Sequence, residues 1–99
     1  MNKHPSVYII TNKPLGTLYI GVTSNLMTRV WQHQHHLVKG FSNKYNLMRL
    51  VYFEMHESMY EAISREKAMK KWNRAWKIEL IEEMNPDWDD LYYSLLCGN

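Results

Sequence analysis

Apolar and polar residues alternate or recur with periods that divide the chain into short strands and amphipathic helices. Residues 7–12 and 17–22 are rich in Val, Ile, Tyr and Thr, and the connection Asn12-Lys13-Pro14-Leu15-Gly16 between them predicts a β-hairpin. Thr23-Ser24-Asn25 supplies N-cap residues for a helix over about 25–38, whose stripe carries Leu26, Val30, His33 and Leu37 and which Gly40 would stop. Residues 41–47, with Ser42, Asn43, Lys44 and Asn46, read as a loop, and Leu47 to Met55 as a third strand. Ser58 caps a helix over about 59–72. Helical pattern resumes through Trp76, Ile78, Leu80 and Ile81, stops at Asn85-Pro86, and returns as a short helix within 88–96. The predicted fold class is α/β (α+β): a small three-stranded, mainly antiparallel sheet flanked by helices, in the order β-β-α-β-α-α. No repeat, linker or low-complexity tract interrupts it, and a single domain spanning 1–99 is expected.

Polar residues on the apolar stripes are the first chemical signal. At 100° per residue, Glu66 falls near the middle of a face shared by Met59, Ala62, Ile63 and Met69. A carboxylate there is costly to desolvate unless it is paired, hydrogen-bonded or bound to a cation. His33 falls between Leu26 and Val30, and Arg29, four residues earlier, projects to the same side. Tyr8 and Tyr19 stand on the two hairpin strands. Each has a structural alternative. Glu66 can pair with Lys70, four residues on; His33 can be a hydrogen-bonded core residue; Arg29 can snorkel; the tyrosines can be ordinary strand aromatics.

Charge sharpens the picture. The formal net charge is +2, yet residues 1–80 hold all twelve Lys and Arg against five acids, while the last nineteen residues hold five acids and no base. A basic body suits a polyanionic partner such as nucleic acid. Apolar content of 45% is that of a globular chain, and no stretch approaches the roughly 20 apolar residues of a membrane span. The N-terminus has no signal-peptide pattern, so the expected location is the cytoplasm, with no membrane partner. Cys97, the single cysteine, rules out an intramolecular disulfide and a multi-cysteine zinc site.

The order Ser6-Val7-Tyr8, Tyr19-Ile20-Gly21, Arg29, His33, then Glu61-Ala62 and Glu66 resembles the GIY-YIG nuclease family. The likeness continues through Arg65-Glu66-Lys67, Lys70-Lys71-Trp72, Leu80-Ile81, Asn85-Pro86 and Asp90-Leu91, covering about residues 6–91. It is nearest to small stand-alone bacterial proteins related to the nuclease domain of the excision-repair endonuclease. The resemblance implies a metal-dependent endonuclease hydrolysing DNA phosphodiesters, in DNA repair or processing, with RNA left open as a substrate. It implies Tyr8, Tyr19, Arg29, His33 and Glu66 as catalytic residues, Glu66 as ligand of one Mg²⁺ or Mn²⁺ ion, and Gly21 as a backbone requirement of the motif. Tyr8 would be the water-activating base, its phenolate favoured by Arg29 and the metal. Lys67, Lys70, Lys71, Arg74 and Lys77 would meet the DNA backbone. Two positions depart from the pattern: Ser6 replaces the first motif glycine, and Ile78 stands where several members have an asparagine. Asn73 or Lys77 is the nearby polar substitute. The competing expectation is a catalytically inactive nucleic-acid-binding module.

Overall fold

Alternate residues of the first strand, β1 (Ser6–Thr11), go to different cores. Val7 and Ile9 join Ile20, Val51, Tyr52, Ala62, Met69, Ile81 and Trp88. Tyr8 and Ile10 join Leu26, Val30, Leu47, Leu50 and Tyr92. Every residue of β1 is buried, as expected of a strand covered on both faces. In the computed structural model, which describes residues 4–97, β1 is the middle strand of an antiparallel sheet ordered β2-β1-β3, with β2 at Leu18–Thr23 and β3 at Arg49–Met55. The helices are α1 (Leu26–Gln34), α2 (Phe41–Lys44), α3 (Met59–Lys70), α4 (Arg74–Met84) and α5 (Tyr92–Leu96). α3 packs on β2 and β1, α4 on β3, and α1 on α5. The α+β class and the antiparallel three-stranded sheet are as predicted.

Local signals explain most boundaries. The Asn25 side chain accepts from Thr28 N at 3.2 Å and that of Ser58 from Glu61 N at 3.1 Å, so both predicted caps operate. The predicted end of α1 does not hold. The helix stops at Gln34, four residues before the expected 38, because His36 takes a left-handed conformation at φ 57°. Leu37 N then donates to Gln32 O at 2.8 Å and His36 N to His33 O at 3.1 Å, the paired bonds of a Schellman cap made without its usual glycine. Leu37, expected on the buried stripe, is 60% exposed. The predicted loop at 41–47 contains α2, with Gly40 as its N-cap rather than the stop of α1. α2 ends in the same way: Asn46 sits at φ 55°, and Leu47 N donates to Ser42 O at 2.9 Å. Here the capping apolar residue is fully buried, which pins the segment to the core.

β3 carries a bulge. Its register against β1 shifts between Ile9 and Ile10, so Val51 and Tyr52 both enter one core while Leu50 and Phe53 serve the other. The Val51 carbonyl is met by Asn85 Nδ2 at 3.1 Å, and the same amide group also donates to Asp89 O at 2.8 Å. Asp90 Oδ1 accepts from Leu50 N at 3.2 Å, and Leu91 N donates to Leu50 O at 2.7 Å. The segment after α4 is thus a strap bonded to the outer edge of β3, which covers an otherwise unpaired strand. Asn85 is 4% exposed, so truncating it leaves buried polar groups without partners. Asn85→Ala should lower unfolding free energy by about 2–3 kcal/mol, measured by urea titration.

Candidate active site

The two motif tyrosines share a sheet face through the hairpin register. Ile10 pairs with Tyr19 and Tyr8 with Gly21, which sets the phenols diagonally, ring centroids 6.4 Å apart. Gly21 is required by contact rather than by conformation. A Cβ there would lie 2.4 Å from the Tyr8 ring, which crosses the strand at that point. The Tyr8 ring is 2% exposed and hydrogen-bonded, so it has no cheap way to move aside. The first motif position differs: Ser6 is fully buried without positive φ, its hydroxyl donating to His4 O at 2.9 Å. Serine is therefore accommodated there.

From α1, His33 closes over both phenols, 5.6 Å from the Tyr8 ring and 5.8 Å from that of Tyr19. Its Nε2 is 2.9 Å from Tyr8 Oη and its Nδ1 is 3.0 Å from Ser42 Oγ. A phenol is the stronger acid of the two hydroxyls, so we assign the tautomer in which Nδ1–H donates to Ser42 and Nε2 accepts from Tyr8. Burial, and secondarily the Arg29 charge, lowers the His33 pKa from 6.5 to about 4, leaving the ring neutral at pH 7. Tyr8 is shifted upward, first by burial and then by Tyr19; Arg29 opposes this and Glu66 adds to it. The anticipated cationic stabilisation of the phenolate is present but is outweighed by desolvation. Arg29 itself is half-buried and makes no ion pair among the described residues.

Glu66 reaches the same region from α3, which runs along β2, the edge strand on that side. It is 8% exposed, and its carboxylate is held by Lys70 Nζ at 2.5 Å, the i, i+4 pairing weighed from the sequence. Lys70 in turn lies 5.8 Å from the Tyr19 ring centroid. The five residues therefore gather on one side of the hairpin. Of the other cations assigned to DNA, Lys67 and Lys71 are exposed and Lys77 is half-buried. Arg74 is engaged structurally, donating to Leu15 O and Gly16 O at 2.7 Å each. Ile78 packs against the apolar core, and Asn73, the N-cap of α4, accepts from Trp76 N at 2.9 Å. A cleft of about 420 Å³ lined by Asn12, Arg49 and Asp90 among others includes none of the five.

Two features were missed in the sequence. Ser42 lay in an unremarkable polar segment, and only the fold brings it to His33. The other is a clamp beside Glu66: Arg65 Nε and Nη2 donate to Glu54 Oε2 and Oε1 at 2.9 and 3.3 Å. His56 and Tyr52 each approach the same carboxylate at 2.5 Å, and the Arg65 guanidinium lies 5.0 Å from the Trp72 ring. Burial works against the Glu54 charge, but the donors from Tyr52, Arg65 and His56 hold its carboxyl below the ordinary range. The clamp fixes α3 to β3 and so fixes where Glu66 points.

Residues 4–79 match the family model described as the GIY-YIG catalytic domain. The chain belongs to the GIY-YIG family. This GIY-YIG protein is 39% identical over 75 residues to a UPF0213 protein of Clostridium perfringens, covering 76% of this chain and 80% of the relative. It is likewise 39% identical over 87 residues to a UPF0213 protein of Staphylococcus haemolyticus, covering 84% and 99%. The solution NMR structure of a UPF0213 protein from Bacillus halodurans has the same fold, with TM-score 0.56 at 24% identity over 88% of this chain and 92% of that one. The family brings the general kind of activity: a nuclease acting on nucleic acid with a divalent metal. Among the described residues no three His, Cys, Asp or Glu side chains cluster to cage an ion. The single Glu66 carboxylate fits an oxygen-seeking ion that keeps most of its water and completes its shell with substrate, and does not fit a zinc site.

Two outcomes test the geometry. Gly21→Ala should cost about 1–3 kcal/mol of stability, and the penalty should shrink in a Tyr8→Ala background, measured as a double-mutant cycle. His33 has a folded pKa below its unfolded value, so the unfolded state binds more protons between about pH 4 and 6.5. Its stabilising contribution is complete above the unfolded pKa and is lost as pH falls through that window, at a slope of at most about 1.4 kcal/mol per pH unit. Urea titrations across that range should show this slope in the wild type and a shallower one in His33→Gln.

Proposed function

We propose that this chain is a divalent-metal-dependent endonuclease that hydrolyses DNA phosphodiester bonds, acting in the cytoplasm in repair or processing of DNA. RNA stays open as a second substrate. The proposed catalytic unit is one domain over residues 1–99, with its motif-bearing core at about 6–91. The observation that carries the reading is the Tyr8–His33–Ser42 hydrogen-bond chain, with the Arg29 guanidinium and the Glu66 carboxylate acting on the same phenol.

In this reading Tyr8 takes the proton of the attacking water as its own passes to His33 Nε2. Neutral His33 is ready to accept, but its basicity is depressed by burial and by Arg29. A phosphodiester drawn to Arg29 offsets that field and makes the imidazole a better proton acceptor. Arg29 then donates to the phosphoryl oxygens as charge builds on them in the transition state. Tyr19 flanks Tyr8 and limits the space for water beside it. Glu66 would hold one Mg²⁺ or Mn²⁺, which when bound supplies positive charge for the departing oxygen. Lys70 neutralises Glu66 beforehand and would yield that role to the ion. Lys67, Lys71 and Lys77 are proposed phosphate contacts, whereas Arg74 already serves the hairpin carbonyls.

A second reading, an inactive nucleic-acid-binding module, is favoured by the Lys70–Glu66 pair and by apolar packing of Ile78 where some relatives place an amide. Single-turnover cleavage of supercoiled and branched DNA, with Mg²⁺ or Mn²⁺, separates the two. The wild type should cut. Glu66→Gln should abolish cleavage while retaining most DNA affinity, with partial rescue by excess Mn²⁺. Arg29→Ala should slow the chemical step by about 10²–10³-fold, as expected for loss of a transition-state donor. Tyr8→Phe should remain folded and lose rate. Equal cleavage by all three folded variants would make the residues structural; no cleavage by the wild type would favour the binding module.

A further inference from the structure

The phenol of Tyr19 does not end the aromatic surface at the site. Phe41, on α2, stacks against Tyr19 with centroids 6.3 Å apart and planes 24° from parallel. Tyr45 follows at 4.8 Å from Phe41, with Lys44 Nζ 5.5 Å from the Tyr45 ring. Phe41 is 47% exposed and Tyr45 42%, so each offers ring surface to solvent. These rings are held in place from beneath. Between them Ser42 is buried and bonded to His33, and Leu47 anchors the end of the segment in the core. The surroundings are of one sign: the chain has six Lys and Arg and no Asp or Glu before Glu54.

We propose that Phe41 and Tyr45 form a stacking platform for an unpaired nucleobase next to the phosphate held at Arg29, so that the substrate is a nucleic acid that is single-stranded or opened at the cleavage point. This rests on the nuclease reading of the neighbouring residues for its phosphate, and not for its base. Three properties support this occupant. An unpaired base has an accessible π-face, which a base stacked within a duplex lacks, and exposed aromatic rings bind that face regardless of sequence. A cationic, acid-free surround attracts the phosphates on either side of the base. Continuity through Tyr19 joins the platform to the catalytic phenols, so the base it held would lie beside the bond to be cut.

The test uses the full chain in EDTA, so that binding is read without turnover. The probe is an oligonucleotide carrying 2-aminopurine, whose fluorescence is quenched on stacking, as a single strand and in a duplex. The wild type should quench the single strand. Phe41→Ala should weaken single-strand binding about tenfold and leave duplex binding unchanged, since base–aromatic stacking is lost. Phe41→Trp should restore the affinity, and Tyr45→Ala should reduce it without touching the Ser42 contact. Absence of quenching, or equal weakening of single strand and duplex by both alanine variants, would overturn the platform. So would a self-associated wild type that Phe41→Ala converts to monomer with strand affinity unchanged. Quenching and the Phe41 dependence in a protein that cuts nothing with either metal would leave the platform standing and remove the nuclease reading. Cleavage that is equal on both substrates and indifferent to Phe41→Ala would do the reverse.

Discussion

The hydrogen bond between Tyr8 and His33 joins the central strand to α1, and through Ser42 it also reaches α2. Its formation depends on two conditions set elsewhere. Gly21 must lack a side chain so that the Tyr8 ring can lie across β2. The β1 face must be covered well enough that the phenol and imidazole prefer each other to water, which Leu26, Val30 and Tyr92 provide. The same burial that makes the contact geometrically definite also sets its electrostatics, raising the phenol and lowering the imidazole. Both groups are therefore neutral at rest, and an incoming anion is what disturbs the balance.

The two cores divide the labour of holding this arrangement. The one built on Val7 and Ile9 is mostly aliphatic and fixes α3 and α4. The one built on Tyr8 and Ile10 carries the polar chain and borders solvent at Tyr19. The bulge in β3 lets one strand serve both, and its cost is the misaligned Val51 carbonyl, which Asn85 satisfies. A helix stop, a strand-edge cover and a bulge partner thus fall on one asparagine and the few residues after it.

Much of this was legible in the sequence, for identifiable reasons. Strand alternation, turn chemistry and side-chain caps are local, so β1, β2, β3 and the starts of α1 and α3 could be read directly. The intrusions of His33 and Glu66 on apolar stripes were also local signals, and both side chains are buried. The end of α1 and the existence of α2 were hidden because their caps use His36 and Asn46 in left-handed conformations, where the usual marker is glycine. Ser42, Phe41 and the Glu54–Arg65 clamp were not readable because their partners lie across the fold. The sign of the Tyr8 shift was misjudged for a related reason: a nearby cation can be guessed from spacing, whereas the depth of burial cannot.

The clamp at Arg65 also governs which changes of chain length the molecule can absorb. Consecutive helical residues point about 100° apart, so anchoring Arg65 on Glu54 dictates the rotational phase at which Glu66 leaves the helix. Extra residues in the short connection before α3 would be taken up ahead of the anchor, and the carboxylate would keep its bearing. A residue inserted between Arg65 and Glu66 would instead swing the carboxylate a quarter-turn or more away from the phenols while leaving the fold intact. Arg65 and Glu66 are in this sense an inseparable dipeptide, one member setting the angle at which the other works.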